Sequence, residues 1–230
     1  MKKPYKSIVM TVVNICIIMG IYPQYKPCVV ENFYVSSKYI VDNTINQKTK
    51  YKDFDIRYPQ VINIPNTKSI NEEICSLINS KINELNLLID EYYKDDVITI
   101  TPYQIYSNYY TTKQKEILSF YIDIYQFTGG AHGITTRHAY NIDIATGDLK
   151  KLDDIIDLSK NKTKIDNEII KQINKESKYY FTDENGFKGI DDNTKFSLEG
   201  DDIVIYYDIY EIAPYASGIV EFRIPIDSIT

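Results

Sequence analysis

The stretch YQFTGGAHGITTRHAYNIDIATG, Tyr125 to Gly147, holds both histidines of the 230-residue chain and four of its nine glycines. Imidazole is the side chain whose ordinary pKa lies closest to neutrality, so His132 and His138 are the first candidates for proton transfer or metal binding. His132 sits between Gly130 and Gly133, in a turn where glycine takes positive φ at little cost, and this leaves its ring exposed. A general base also needs a nucleophile or bound water, and a third group to orient it. The carboxylates that could serve His132 in a small hydrolase are Glu211 and Asp143. The chain has no GxSxG elbow, no HExxH helix and no Cys-His pairing in a recognisable context. Two histidines six apart across a turn would need two further ligands to hold zinc, and no spacing identifies them. No catalytic residue, metal or cofactor is therefore expected, and His132 reads as a turn or recognition residue. His138 alternates onto one strand face with Tyr140, Ile142 and Ile144, which predicts a partly buried, hydrogen-bonded histidine.

A second loop, Glu211-Ile-Ala-Pro-Tyr-Ala-Ser-Gly218, carries recognition chemistry of another kind. Pro214 biases Ala213 away from helix, and Ser217-Gly218 permits a tight return into the next strand. The loop then presents Tyr210, Glu211 and Tyr215 in a fixed arrangement, and amphipathic tyrosines on a rigid turn make good interface anchors. The alternative is a hairpin corner in which Tyr215 caps the core.

Periodicity supplies the elements that position these loops. Ser69-Ile70-Asn71-Glu72 fits a capping box. Ile70, Ile74, Leu77, Ile78, Ile82, Leu85, Leu88 and Ile89 then recur at spacings of three and four, which predicts a long helix with one apolar stripe to lay on a sheet. Strands are predicted from Asp53 to Tyr58, ended by Pro59, and over 97–109 and 117–127, the last two joined by a turn around Thr111-Thr112-Lys113. In 117–127, Leu118, Phe120, Ile122 and Ile124 share a face, so the sheet is expected to have one covered side. Ile134 to Ile144 completes a hairpin closed by Ala145-Thr146-Gly147-Asp148. A second helix is predicted over 164–175, and two final strands over 203–210 and 219–224.

Composition narrows the function classes. With 43% apolar residues the chain can fill a sizeable core. Its 22 tyrosines accompany abundant Ile, Asn and Lys, a pattern of codon bias more than of an aromatic surface. Lys2, Lys3 and Lys6 precede an apolar run to Ile21, which reads as an export signal or N-terminal anchor. Net charge is −6, and without the first 22 residues, which hold three lysines and no acid, it is −9. That balance disfavours nucleic acid and anionic wall polymers and suits a cationic protein partner. In an oxidising compartment Cys28 and Cys75 form a candidate disulfide, the alternative for Cys75 being a small apolar residue on a helix face.

The segments SFYIDIYQFTGGAHGITTRHAYNIDIATGDLKKLDDII and YYDIYEIAPYASGIVEFRIP resemble the C-terminal domain shared by the extracytoplasmic part of RsiV-type anti-sigma factors and by PdaC-type peptidoglycan deacetylases. The segment from about Tyr51 to Ser107, with RYPQV and the capped helix, resembles the PdaC-type N-terminal companion domain. The resemblance implies an outer binding module, since RsiV-type proteins sense lysozyme by binding it. It does not carry over the anti-sigma role, because only six residues precede the apolar run, nor the deacetylase domain, whose Asp and paired histidines find no counterpart.

These readings give an α+β, two-layer fold: a mainly antiparallel β-sheet with a long helix and a second shorter helix packed on one face. The expected divisions are 1–22 as signal or anchor, 23–110 as the PdaC-type domain and 111–230 as the RsiV-like domain. The expected function is a non-catalytic, exported cell-envelope binding module, attached to the membrane, if at all, only through its N-terminal segment, the alternative being a small envelope hydrolase or deacetylase acting on cell-wall glycans. Its expected ligand is lysozyme or another cationic muralytic protein, or peptidoglycan, with Gly129, Gly130, His132, Gly133, Tyr210, Glu211, Pro214 and Tyr215 as binding residues.

Overall fold

The apolar stripe becomes helix α1, Lys68–Tyr92, in which Ile70, Ile74, Ile78 and Leu85 are buried and Leu77, Ile82, Leu88 and Ile89 pack around them. The structure, a computed structural model, describes residues 32–35, 37–92 and 101–229; the expected export segment and Cys28 lie outside them. Among the described residues no helix is long and apolar enough to cross a membrane. The helix begins one residue before Ser69, so the expected capping box is not its start. Asn71 is used instead as a clamp: its side chain accepts from the Val61 N–H at 2.8 Å and donates to the Val61 carbonyl at 2.9 Å. This ties the first turn of α1 to the strand it follows.

Six strands form the larger sheet in sequence order: β1 (Asn32–Val35), β2 (Ile40–Lys48), β3 (Lys52–Val61), β4 (Tyr103–Gln114), β5 (Ile117–Phe127) and β6 (Ile134–Asp143). All neighbours are antiparallel except β3 and β4, which are parallel and flank α1 in sequence. β3 passes through Pro59 rather than ending there. β4 pairs only with Lys52 to Ile56, so at Pro59 one edge of β3 carries no ladder, a place where a strand tolerates proline. The turn expected at Thr111 to Lys113 is a register shift within β4, which continues to Gln114. Threonine suits a strand, and the Thr112 hydroxyl donates to the Ser119 carbonyl across the irregularity at 3.2 Å.

A smaller antiparallel sheet follows, β7 (Phe196–Glu199), β8 (Asp202–Tyr207) and β9 (Val220–Pro225). It is preceded by short helix α2 (Leu152–Ile155) and by α3 (Leu158–Lys175), whose Ile165 and Ile169 pack with Leu198, Ile203, Ile205, Phe222 and Ile224. The fold is thus α+β with mainly antiparallel sheets, and each helix covers a sheet of its own.

The expectation of a single covered face is corrected as well. The face of β5 opposite Leu118, Phe120, Ile122 and Ile124 is not all solvent-facing: at its start Ile117 packs into the second core and Ser119 is fully buried. The smaller sheet lies there, and the contact is made by small polar groups. The Ser119 hydroxyl donates to Asn141 Oδ1 at 2.7 Å and accepts the Leu198 N–H at 2.9 Å, while the Asn141 amide donates to the Phe196 carbonyl at 3.0 Å. Buried hydrogen-bond networks of this kind fix one register between two surfaces.

Candidate functional site

The loop between β5 and β6 depends on its glycines. Gly129 and Gly130 take φ of 94° and 87°, a region that side chains avoid. Gly133 has an ordinary φ but no space, since a Cβ there would stand 2.4 Å from the Gln126 carbonyl oxygen and 2.4 Å from the Tyr125 ring. Gly133→Ala must displace backbone, and a loss of about 2 kcal/mol is expected in chemical denaturation, in the range of overpacked sites.

The second loop is equally constrained. Tyr210 holds φ at 71° and is 52% exposed. A tyrosine in the left-handed region is strained, and persists only where its surroundings determine it. Glu211 supplies part of that determination: its Oε2 accepts from the Asp208 N–H and from Lys195 Nζ, both at 2.8 Å. Ile212 and Ala213 are buried in the second core. Pro214, at φ −62°, opens a 3₁₀ turn over Tyr215–Ser217, and Gly218 closes it at φ 65°, ψ −150°.

The two loops meet. The His132 and Tyr215 rings stack with centroids 3.8 Å apart and planes 24° apart. The Tyr215 hydroxyl donates to the Gly133 carbonyl at 2.9 Å, and the Tyr210 ring stands 5.8 Å from that of Tyr215. Tyr215 is half-buried in this joint, while His132 and Tyr210 remain exposed.

The possible carboxylate partners of His132 lie elsewhere. Asp143 ends β6 at the strand's far end, roughly 30 Å along an extended chain, where it accepts from the Ala145 and Thr146 N–H groups. Those N–H donors, ahead of Lys150, hold its carboxyl below the usual range. Glu211 is turned toward Lys195 and the Asp208 N–H.

Further along β6 stands a residue that the sequence did not single out. Arg137, on β6, has a side chain only 8% exposed. Its Nε and Nη2 donate to the two Asp123 oxygens at 2.7 and 2.9 Å, and Nη1 donates to Glu221 on β9 at 2.5 Å. The guanidinium lies 3.8 Å from the Tyr121 ring centroid. Burial opposes its charge, and the hydrogen bonds to Asp123 and Glu221 outweigh burial and raise its pKa. Its partner Tyr206, on β8, has a hydroxyl that accepts the Ala139 N–H of the β6 edge at 3.2 Å.

His138 is half-buried as expected, but its Nε2 has no hydrogen-bond partner among the described residues, against the expectation. Burial and then Lys81 depress its pKa from 6.5, with Asp208 opposing. The unfolded imidazole takes its proton at higher pH than the folded one, so stability is expected to fall as pH drops below 6.5. Urea midpoints at pH 7.5 and pH 5.5 check this: His138→Gln should shrink the difference between them. Cys75, on α1, is disulfide-bonded, and its expected partner Cys28 lies outside the described residues. Among the described residues no group of three or more His, Cys, Asp or Glu is arranged to hold a metal.

Residues 45–135 match the family model of the deacetylase PdaC, and residues 149–227 match that of a protein family of unknown function, DUF3298. The chain joins a PdaC-type segment to a DUF3298 segment. No curated protein matches it. Among solved structures it is similar to a DUF3298 family protein from Bacteroides fragilis, at 20% identity and a TM-score of 0.54, over 81% of this chain and 90% of that one. A DUF3298 family protein from Pseudomonas aeruginosa matches at 17% identity and a TM-score of 0.46, over 82% and 89%. The Bacteroides likeness is one of fold. The PdaC-type segment ends inside β6 and includes Gly129 to Gly133, whereas the DUF3298 segment includes Tyr210 to Tyr215. The division expected between 110 and 111 falls inside β4, beside its register shift, and β4 pairs with β5 on both sides of it. The stack of His132 on Tyr215 therefore joins the two segments, and the contacts of Arg137 with Glu221 and of Asn141 with Phe196 tie the stretch between them to the second.

Proposed function

We propose that the chain is a non-catalytic binding module of the cell envelope, exported beyond the cytoplasmic membrane. Its ligand is lysozyme or another cationic muralytic protein. The observation that carries this reading is the stack of His132 on Tyr215, locked by the hydrogen bond from the Tyr215 hydroxyl to Gly133. It makes a rigid, partly exposed aromatic surface from two loops, the kind of anchor on which interfaces concentrate their energy. The same stack opposes the hydrolase reading, because His132 meets a ring and not a carboxylate. Charge supports a cationic ligand over peptidoglycan, the other ligand in view, and Lys2, Lys3 and Lys6 ahead of an apolar run support export.

Calorimetry on the chain from about residue 24 tests the reading. Titrated with lysozyme at two salt concentrations it should bind, more weakly at high salt, and should turn over no wall substrate. Titrations that stay flat with both lysozyme and peptidoglycan fragments would sink it.

A further inference from the structure

The larger sheet carries a groove of about 530 Å³ lined by Asp55, Arg57, Tyr106, Asn108, Asp123 and Tyr125. It lies toward the joint of the two loops, since Tyr125 is the ring that closes against Gly133. Around it the fold twice solves one problem, how to seat a guanidinium. Arg57 pairs with both Asp42 oxygens at 3.0 Å, donates to Asn108 and lies 4.9 Å from the Tyr109 ring centroid. Arg137 pairs with Asp123 and Glu221 against the Tyr121 ring.

Asp55, Tyr106 and Tyr125 repeat the same set of groups. The Asp55 side chain is exposed and makes no ion pair or hydrogen bond among the described residues; Asp55 stands opposite Tyr106 in the parallel register of β3 and β4. Tyr106 is 37% exposed, and its ring lies parallel to that of Tyr125, 9° apart in plane with centroids at 6.0 Å. Both arginines of this region are held by the chain's own carboxylates, so the groove offers an anion no free counter-charge. What it does offer is a carboxylate beside aromatic rings, a setting that attracts cations both by charge and by the ring quadrupole.

We propose that this groove receives an arginine side chain of a cationic protein partner, beside the surface made by the two loops. The macromolecular part of the proposal rests on the reading of a cationic protein ligand; the guanidinium site stands without it. The groove adds a charge-selective contact to an otherwise aromatic surface, and it makes the salt dependence of binding local to Asp55.

The probe is N-acetyl-arginine amide, with N-acetyl-citrulline amide as the uncharged isostere, titrated into the chain while the tyrosine ring signals are followed by NMR. The arginine compound should shift Tyr106 and Tyr125 saturably and leave Tyr210 unmoved, and the citrulline compound should shift neither. Asp55→Asn, an exposed change that leaves the fold intact, should weaken the response at least threefold. Asp55→Asn should also reduce the salt dependence of lysozyme binding. Equal shifts with both compounds, no shift with either, or a response unaltered in Asp55→Asn would overturn the proposal. A retained arginine response with no lysozyme binding would instead defeat the reading of the ligand and leave the groove standing.

Discussion

Replacing Arg137 by alanine is expected to lower the stability of the chain by about 3 kcal/mol, measured as the shift in urea unfolding. Removing one partner of a buried ion pair leaves the others desolvated without a counter-charge, which typically costs roughly 3–5 kcal/mol. Asp123 and Glu221 keep 24% and 32% of their side chains exposed, so water recovers part of the loss and the lower end applies. Arg137→Lys should fall between, because an ammonium keeps the charge but cannot reproduce the two-pronged contact with Asp123. Arg223→Ala is the control. That guanidinium is 51% exposed and pairs with Glu199, and its loss should cost less than about 1 kcal/mol. Similar costs at both positions would mean that Arg137 does not clamp β6 to β9.

Tyr215→Ala should weaken lysozyme binding by at least about tenfold while changing stability far less than Arg137→Ala. The substitution removes the ring that His132 stacks on and the donor to Gly133, so the two loops lose the contacts that fix one against the other. Binding would then have to order both loops, at a cost of the order of 1 kcal/mol for each immobilised side chain. Tyr215→Phe separates the two contributions: it keeps the stack and loses one hydrogen bond of about 1 kcal/mol, so it should weaken binding less than tenfold. Calorimetry with lysozyme reads both variants. If Tyr215→Ala binds as well as the unaltered chain, the joint is structural only.

The parts of the fold that repeat along the chain were legible in the sequence. The stripe of α1 and the alternation of Leu118, Phe120, Ile122 and Ile124 each follow from one period, and both faces are where the period puts them. The candidate loops were legible through their glycines and proline, whose backbone demands are local. Arg137 was not: its alternation places it on the face of β6 away from Tyr140, one that the sequence marks as wet, and only the arrival of β9 with Glu221 encloses it. Ser119 and Asn141 are hidden in the same way, since polar residues at alternate positions describe a solvent face and a polar interface equally well. The contact of Tyr215 with Gly133 spans 82 residues, and no local pattern encodes a meeting at that distance.

Hydrogen exchange of the chain, alone and with saturating lysozyme, tests most directly whether the two segments together form one binding surface. The account predicts that amides of 129–133 and of 210–218 gain protection together and that Tyr215→Ala removes both effects at once. Protection confined to one loop, or placed away from both, would contradict it.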